Sequence, residues 1–149
     1  MLRRIDWSDR VALAGVALGV LAVYLPWYGY DTSATHVSVN AFRASLLGDV
    51  FFVAIAIELL LVLARQGSIA DVLGGRLADR SARFGIALTA CGVVVVQFAL
   101  IAAAGRSAAA GMLVAVIAVA ALVAAAWLRG PDAEPRRTVR EMLGEGLPD

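Results

Sequence analysis

A single glutamate inside an apolar run is the residue whose chemistry most needs an explanation in this chain. Glu58 belongs to a run that ends at Ala64, so it would lie about 9 Å inside a membrane if the run is a transmembrane helix. Ionisable groups at such depth are costly, usually face protein or a cavity, and are candidates for function. Burial favours the neutral form of a carboxyl group, so we predict that Glu58 is protonated at neutral pH.

Two further polar side chains lie within apolar runs. Thr89 enters the third run from the same side as Glu58 and at a similar depth, so its hydroxyl is the predicted partner of Glu58. Gln97 lies deeper, about 20 Å from that boundary, which is too far for it to pair with Glu58. Glu58, Thr89 and Gln97 are therefore a candidate intramembrane polar site. Two roles are open to it: packing or snorkelling, and proton coupling or substrate contact.

Other reactive chemistry is sparse. His36, Asp31 and Asp49 supply one histidine and two distant carboxylates, whereas a metal site needs a convergent set of ligands. The single cysteine, Cys91, leaves neither a disulfide framework nor a cysteine metal site. An enzyme needs a nucleophile or a metal beside a positioned base, and no such pattern stands out. We predict no catalytic residue, no metal and no cofactor, and hence a protein that is not an enzyme.

Glu58, Thr89 and Gln97 lie within two of the four apolar runs of the chain. About 20 apolar residues in a helix cross the hydrocarbon core of a bilayer, and 61% of this 149-residue chain is hydrophobic while only 17% is charged. The sequence predicts an all-α fold, a polytopic transmembrane four-helix bundle in residues 1–130, followed by a cytoplasmic tail at 131–149 that we expect to be mobile. The predicted spans are residues 11–30, 46–64, 84–104 and 108–128.

The arginines predict the orientation. All 13 basic residues are arginines, and 11 of them fall in the segments that share one side of a four-span chain. Only Arg43 and Arg106 fall on the other side. The positive-inside rule therefore puts both termini in the cytoplasm, with the spans in the plasma membrane. Arg3 and Arg4 before an apolar run also resemble a signal peptide, but no small-residue cleavage site follows, which favours an uncleaved span.

The net charge and the amino-acid composition indicate which classes of binding partner to expect. A net charge of +1 lacks the strong basic field that nucleic-acid binding needs. Abundant alanine together with the absence of lysine is typical of a prokaryotic genome rich in GC. We expect membrane lipids as partners, together with another membrane protein or a homo-oligomer.

The connections between the runs differ in length and pattern. Only Gly105, Arg106 and Ser107 separate the third and fourth runs, which predicts a tight antiparallel hairpin. The second connection contains a capping-box pattern at residues 68–71, which favours an amphipathic surface helix, with a polar loop as the alternative. A second such pattern lies in the tail at residues 138–141. In the first connection, residues 37–39 alternate like a strand, and Asn40 could cap a short helix.

Small residues and aromatic residues predict the packing and the boundaries. Close approach of helix backbones is the main source of attraction in lipid, and small side chains permit it. Tryptophan and tyrosine prefer the membrane interface, and proline ends or kinks a helix. The predicted packing residues are Gly15, Gly19, Gly85, Gly92 and Gly111, and the predicted interface anchors are Trp7, Pro26, Trp27, Tyr28 and Trp127.

Two segments carry a resemblance to a known group. Residues 25–28 read Leu-Pro-Trp-Tyr, residues 40–42 read Asn-Ala-Phe, and Gly48-Asp49 follows. In these places the chain resembles an uncharacterised family of four-span prokaryotic integral membrane proteins that share an L-P-W-aromatic motif and an A-F…D segment. The resemblance implies the four-span fold and no particular activity.

The sequence favours a structural, accessory or interaction protein of the membrane that acts without catalysis. Few polar residues in the runs, short connections and small-residue faces support this interpretation. The alternative is a small oligomeric transporter or channel that uses Glu58 and Gln97. Finding both side chains on one water-filled cavity would favour the alternative.

Overall fold

Four apolar helices make up most of the structure, a computed structural model that describes residues 6–66 and 80–128. All four are long and apolar enough to cross a membrane, which confirms that part of the prediction. A one-turn helix and three short strands complete the described chain. In chain order the elements are α1 (Trp7–Tyr24), β1 (Pro26–Asp31), β2 (His36–Asn40), α2 (Ala41–Ala44), α3 (Leu46–Gln66), α4 (Arg80–Ala103), β3 (Ser107–Ala108) and α5 (Ala110–Leu128).

The long helices pack as a ring of four. Helix α1 contacts α3 and α5, and α4 contacts the same two helices. Aliphatic side chains fill the space between them, and Val23, Ile55 and Leu122 are almost wholly buried there. Larger apolar side chains such as Leu60 and Leu113 point outward and are 63% exposed, as expected of helices that meet lipid on one face.

The first helix ends earlier than its apolar run predicts. Instead of spanning residues 11–30, α1 begins at Trp7 and stops at Tyr24, and Leu25 is extended with φ −73° and ψ 154°. Proline lacks an N–H group, and its ring disfavours helical geometry at the preceding residue, so Pro26 forces this stop. The remaining residues of the run, Pro26–Asp31, form strand β1 instead.

A three-stranded antiparallel sheet covers one end of the bundle, which we call the sheet end. Strand β1 lies in the centre, with β2 on one side and β3 on the other. The purely helical prediction is incomplete here, because β1 gains its partner β3 from the α4–α5 connection, about 80 residues along the chain. That pairing joins segments that no local sequence pattern connects.

The α4–α5 hairpin turns through a glycine in the left-handed region. Gly105 has φ +65°, its N–H donates to Ala102 O, and the Arg106 N–H donates to Ile101 O. This pair of hydrogen bonds is the Schellman motif, in which glycine is favoured because it lacks a Cβ atom. Strand β3 then leads directly into α5, so the hairpin is short, as the sequence predicts.

The predicted packing glycines divide into two groups. A Cβ atom at Gly15 would lie 2.9 Å from Leu122 of α5, one at Gly19 would lie 2.6 Å from Ile55 of α3, and one at Gly111 would lie 2.7 Å from Leu25 O. These three glycines sit at close approaches. In contrast, a Cβ atom at Gly85 or Gly92 would meet nothing within 4 Å, so no helix of this bundle packs there.

The predicted interface anchors also differ from one another in their exposure. Trp7 and Trp127 are 67% and 68% exposed, at the end of the bundle opposite the sheet. Trp27, however, is fully buried: its Nε1 donates to Ala22 O at 2.8 Å and its ring packs edge-on against Phe51. Tyr28 is also buried, and Pro26 is half-buried at the start of β1. Trp27 and Tyr28 are therefore core residues of the sheet end.

Three sequence predictions fall on other parts of the chain. The capping-box segment at residues 68–71, the one at 138–141 and the tail 131–149 all lie outside the described residues. They remain predictions.

Candidate intramembrane charge cluster

Glu58 is buried against an arginine rather than a threonine. Glu58 and Arg83 are 2% and 1% exposed, and Arg83 Nε donates to Glu58 Oε1 at 2.6 Å. Arg83 Nη2 also lies 2.6 Å from that oxygen. On its other side, Arg83 Nη1 donates to Asp9 Oδ1 at 3.1 Å, and Asp9 is itself 2% exposed. We call these three residues the charge cluster.

Each residue of the charge cluster comes from a different helix. Asp9 lies in the first turn of α1, Arg83 in the first turn of α4, and Glu58 about two turns before the end of α3. Because α3 runs antiparallel to α1 and α4, these positions meet at one level, near the end of the bundle opposite the sheet. We call that end the cluster end. The cluster therefore joins α1, α3 and α4 through side chains alone.

The helix dipoles favour only part of this arrangement. The positive end of a helix dipole stabilises a carboxylate in the first turn, which suits Asp9. It disfavours a cation in the same position, so the position of Arg83 is not explained by its own helix. The two carboxylates provide the compensation, and the planar guanidinium offers donors in several directions at once. Arg83 can consequently bind two acceptors on two different helices.

Two atoms of the cluster, Glu58 Oε2 and Arg83 Nη2, are buried without a hydrogen bond among the described residues. Both Arg83 Nε and Nη2 converge on Oε1 of Glu58, and the buried Oε2 accepts nothing from the described residues. Burying an acceptor without a hydrogen bond costs free energy. Oε2 is therefore a buried acceptor that a proton or a polar ligand could use.

The structure overturns the expected pairing of Glu58 with Thr89. Thr89 is exposed, and its Oγ1 donates to Gly85 O at 2.9 Å, within its own helix. Burial alone favours a neutral carboxyl group, and the sequence prediction of a neutral Glu58 considers burial alone. In the structure, however, a guanidinium nitrogen of Arg83 lies 2.6 Å from Glu58 Oε1. Thr89 takes no part in the charge cluster.

Gln97 belongs to a second polar contact, close to the sheet end. It is 3% exposed, and its Oε1 accepts a hydrogen bond from Ser45 Oγ at 2.7 Å. The Ser45 hydroxyl in turn accepts from the Leu47 N–H at 3.3 Å, at the start of α3. Gln97 thus fixes α4 to the junction of α2 and α3. Along α4 it lies about 21 Å from Arg83, so the two polar contacts are separate.

Cation–π contacts hold the hairpin to the sheet. The Arg106 guanidinium lies 4.9 Å from the ring centroids of both Tyr28 and Tyr30, which alternate along β1 and so share a face. Such contacts contribute about 0.5–1 kcal/mol each at exposed sites. One of the two arginines predicted to lie on this side therefore has a local structural role.

Among the described residues, His36 and Asp31 form a pair. His36 Nδ1 lies 2.7 Å from Asp31 Oδ1, and both side chains are exposed. Asp49 lies instead in the first turn of α3. Within residues 6–66 and 80–128, no three histidine, cysteine or acidic side chains come together as a metal-binding group.

Sequence reasoning missed Arg83 and Asp9. Both residues precede apolar runs, and hydropathy alone assigns Asp9 to the N-terminal segment and Arg83 to the second connection. A usable signal did exist: each lies within one helical turn of its run, and α1 and α4 begin before the apolar residues do. What no local pattern indicates is that these two helix starts face Glu58, since that depends on how the helices pack.

Comparison with models of protein families, with curated proteins and with solved structures gave no match to this chain. The similarity of residues 25–28 and 40–49 to a four-span family therefore remains a resemblance in a few residues.

Proposed function

We propose that this chain is an integral protein of the prokaryotic plasma membrane that crosses the bilayer four times with both termini in the cytoplasm. Four helices of suitable length and hydropathy support the crossing. The distribution of arginines, 11 against two, supports the orientation. Exposed Trp7 and Trp127 at the cluster end fit an interfacial level there.

Within that membrane, we infer a structural or accessory role without catalysis. The observation that carries this proposal is the charge cluster, because it uses the most expensive side chains of the bundle to join three helices. Gln97 is likewise bound to Ser45 at the opposite end of α4. A transport path would need polar groups along one cavity, whereas these contacts occupy two separate levels.

The partner of such a protein would be lipid, another membrane protein or a second copy. The outer face of α4 supports this, because Gly85 and Gly92 are exposed and have open space around them. In lipid, small residues on an open face allow another backbone to approach closely.

Site-specific photo-cross-linking in the native membrane tests the proposal. A photoreactive amino acid at Leu88 or Val96, both exposed on α4, should yield one discrete adduct with a membrane protein. The same residue at Val20, exposed on α1, is the matched control. The absence of a discrete protein adduct from every exposed helix face would contradict an interaction role with proteins.

A second candidate is a small oligomeric transporter or channel. The observation that favours it is Glu58 Oε2, which accepts no hydrogen bond from the residues that the structure describes. A buried acceptor next to an ion pair could take up a proton during transport. In proteoliposomes of purified protein, ion or proton flux that is lost in Glu58→Gln and kept in Thr89→Val would support this candidate. Wild-type vesicles without flux would count against it.

A further inference from the structure

An apolar groove of about 630 Å³ opens on the surface of the bundle between α4 and α5. Its lining is almost entirely aliphatic, and side chains at its mouth such as Val95 and Val116 are 61% and 48% exposed. Because α4 and α5 are neighbours in the hairpin, the groove belongs to one chain and needs no second copy to form. The lining includes Cys91, Val95, Val116, Ala120, Ala124 and Trp127.

The length of the groove matches one leaflet of a bilayer. Along α5 the lining runs from Val116 to Leu128, which corresponds to about 18 Å of helix. The hydrocarbon core is about 30 Å thick, so the groove covers roughly half of it. It extends from the cluster end, where Trp127 is 68% exposed, to about the middle of α5. A second transmembrane helix would instead contact the full length of α4 or α5.

We propose that this groove binds one acyl chain of a phospholipid from the leaflet at the cluster end. The inference rests on the proposed insertion of the four helices in a membrane. An acyl chain enters from the interface and ends at the bilayer midplane, as the groove does. Trp127 stands where the glycerol and headgroup region would lie, and an indole ring suits that polar–apolar boundary.

Small residues give the groove its depth. Ala120 and Ala124 lie one turn apart on α5, and their methyl groups leave room that a larger side chain would fill. Both are exposed to the groove and so are not needed to fill the core. A bulky residue at either position should close the groove without disturbing the packing of α1 against α5.

The test uses the full chain in phosphatidylethanolamine–phosphatidylglycerol vesicles that contain a phospholipid with a diazirine within one acyl chain. After illumination, peptide mass spectrometry locates the adducts. We expect adducts concentrated several-fold on the lining residues of α4 and α5 over the other exposed helix faces. An even distribution over all exposed faces would overturn the proposal.

Two variants that both replace an exposed alanine by phenylalanine make the test more specific. Ala124→Phe should reduce the lining adducts several-fold, whereas Ala99→Phe, at an exposed alanine of α4 outside the groove, should leave them unchanged. Equal adduct yields in the two variants would contradict a groove-bound chain. The wild-type adduct map does not depend on either variant folding.

Other occupants give different results. In a symmetric dimer that packs groove against groove, the two Cys91 thiols would approach each other, so a dimer trapped by a short thiol-specific cross-linker would overturn the proposal. Resistance of the protein to extraction from membranes by alkaline carbonate is measured in parallel. Loss of that resistance would mean failure of the proposed membrane insertion, whereas integral protein with an even adduct map would mean failure of the groove alone.

Discussion

Arg83 is the residue on which three helices converge. Its guanidinium contacts Glu58 of α3 and Asp9 of α1 while its own backbone begins α4. The free energy of such a buried cluster is a small difference between a large desolvation cost and a large attraction. Its consequence for stability is therefore asymmetric: the intact cluster contributes little, and a broken one costs much.

Removing the cation should destabilise the protein strongly. Arg83→Gln leaves Glu58 and Asp9 buried without their common partner, and the expected loss is about 3–5 kcal/mol in the free energy of unfolding. Arg83→Lys keeps the charge but not the fork of donors, so an intermediate loss is expected. Unfolding in detergent, followed by circular dichroism, measures both.

The matched control is Arg106→Gln at the sheet end. Arg106 is exposed and contributes through cation–π contacts to Tyr28 and Tyr30, so its loss should cost only about 1–2 kcal/mol. Equal losses in the free energy of unfolding for the two variants would show that the charge cluster contributes no more to stability than an exposed arginine does.

At the scale of elements, close approaches of backbone decide where glycine is required. Gly111 stands in the first turn of α5, where a Cβ atom would lie 2.7 Å from Leu25 O and 2.8 Å from Pro26 O. These are backbone atoms that cannot rotate away. Gly92 stands in the middle of α4 with open space around it.

The same substitution should therefore have opposite effects at these two glycines. Gly111→Ala forces α5 away from the start of β1 and should lower stability by about 1–3 kcal/mol, the usual cost of overpacking. Gly92→Ala should raise it by up to about 1 kcal/mol, because alanine is the better helix former. Thermal unfolding of the two variants side by side gives the answer; a loss at Gly92 would indicate a partner helix on that face.

The hairpin turn offers a second prediction about an element. Gly105 has φ +65°, a conformation that β-branched residues strongly disfavour and asparagine tolerates. Gly105→Val should destabilise the protein by about 1–2 kcal/mol, and Gly105→Asn should cost much less. A Cβ atom at this position would meet nothing within 4 Å, so the comparison reports on the backbone conformation. Equal stability of the two variants in detergent would contradict the prediction.

At the scale of the whole molecule, the charge cluster and the sheet lie at opposite ends of the bundle. The polar contacts thus fix both ends, and apolar side chains fill the middle. In the proposed orientation, the cluster end faces the cytoplasm and the sheet end faces outward.

Cysteine labelling tests that orientation. In a Cys91→Ala background, a cysteine at Ser33, in the exposed β1–β2 connection, should react with a membrane-impermeant maleimide added to intact cells. A cysteine at Ser81, in the first turn of α4, should react only after the cells are opened. Labelling of Ser81 but not Ser33 in intact cells would reverse the orientation.

Hydropathy and length were sufficient to predict the four long helices. An apolar run of about 20 residues has the length of a transmembrane helix, and few other conformations of such a run are stable in a protein of this composition. Local chemistry also predicted the strand pattern at residues 37–39 and the cap at Asn40, whose side chain accepts from the Arg43 N–H. The end of α1 was predictable too, since Pro26 restricts its own residue and the one before it.

Tertiary structure alone decided which polar residues meet. The sequence places Glu58 at its depth but cannot identify Arg83 and Asp9 as its partners, because both lie at the starts of other helices and only packing aligns them. In the same way, β1 acquires β3 from a distant hairpin, and Trp27, an expected interface anchor, is a core residue whose ring packs against Phe51 of α3. The physical reason is common to both cases: periodicity fixes what one segment can bury, whereas the partner that covers it depends on contacts far apart in the chain.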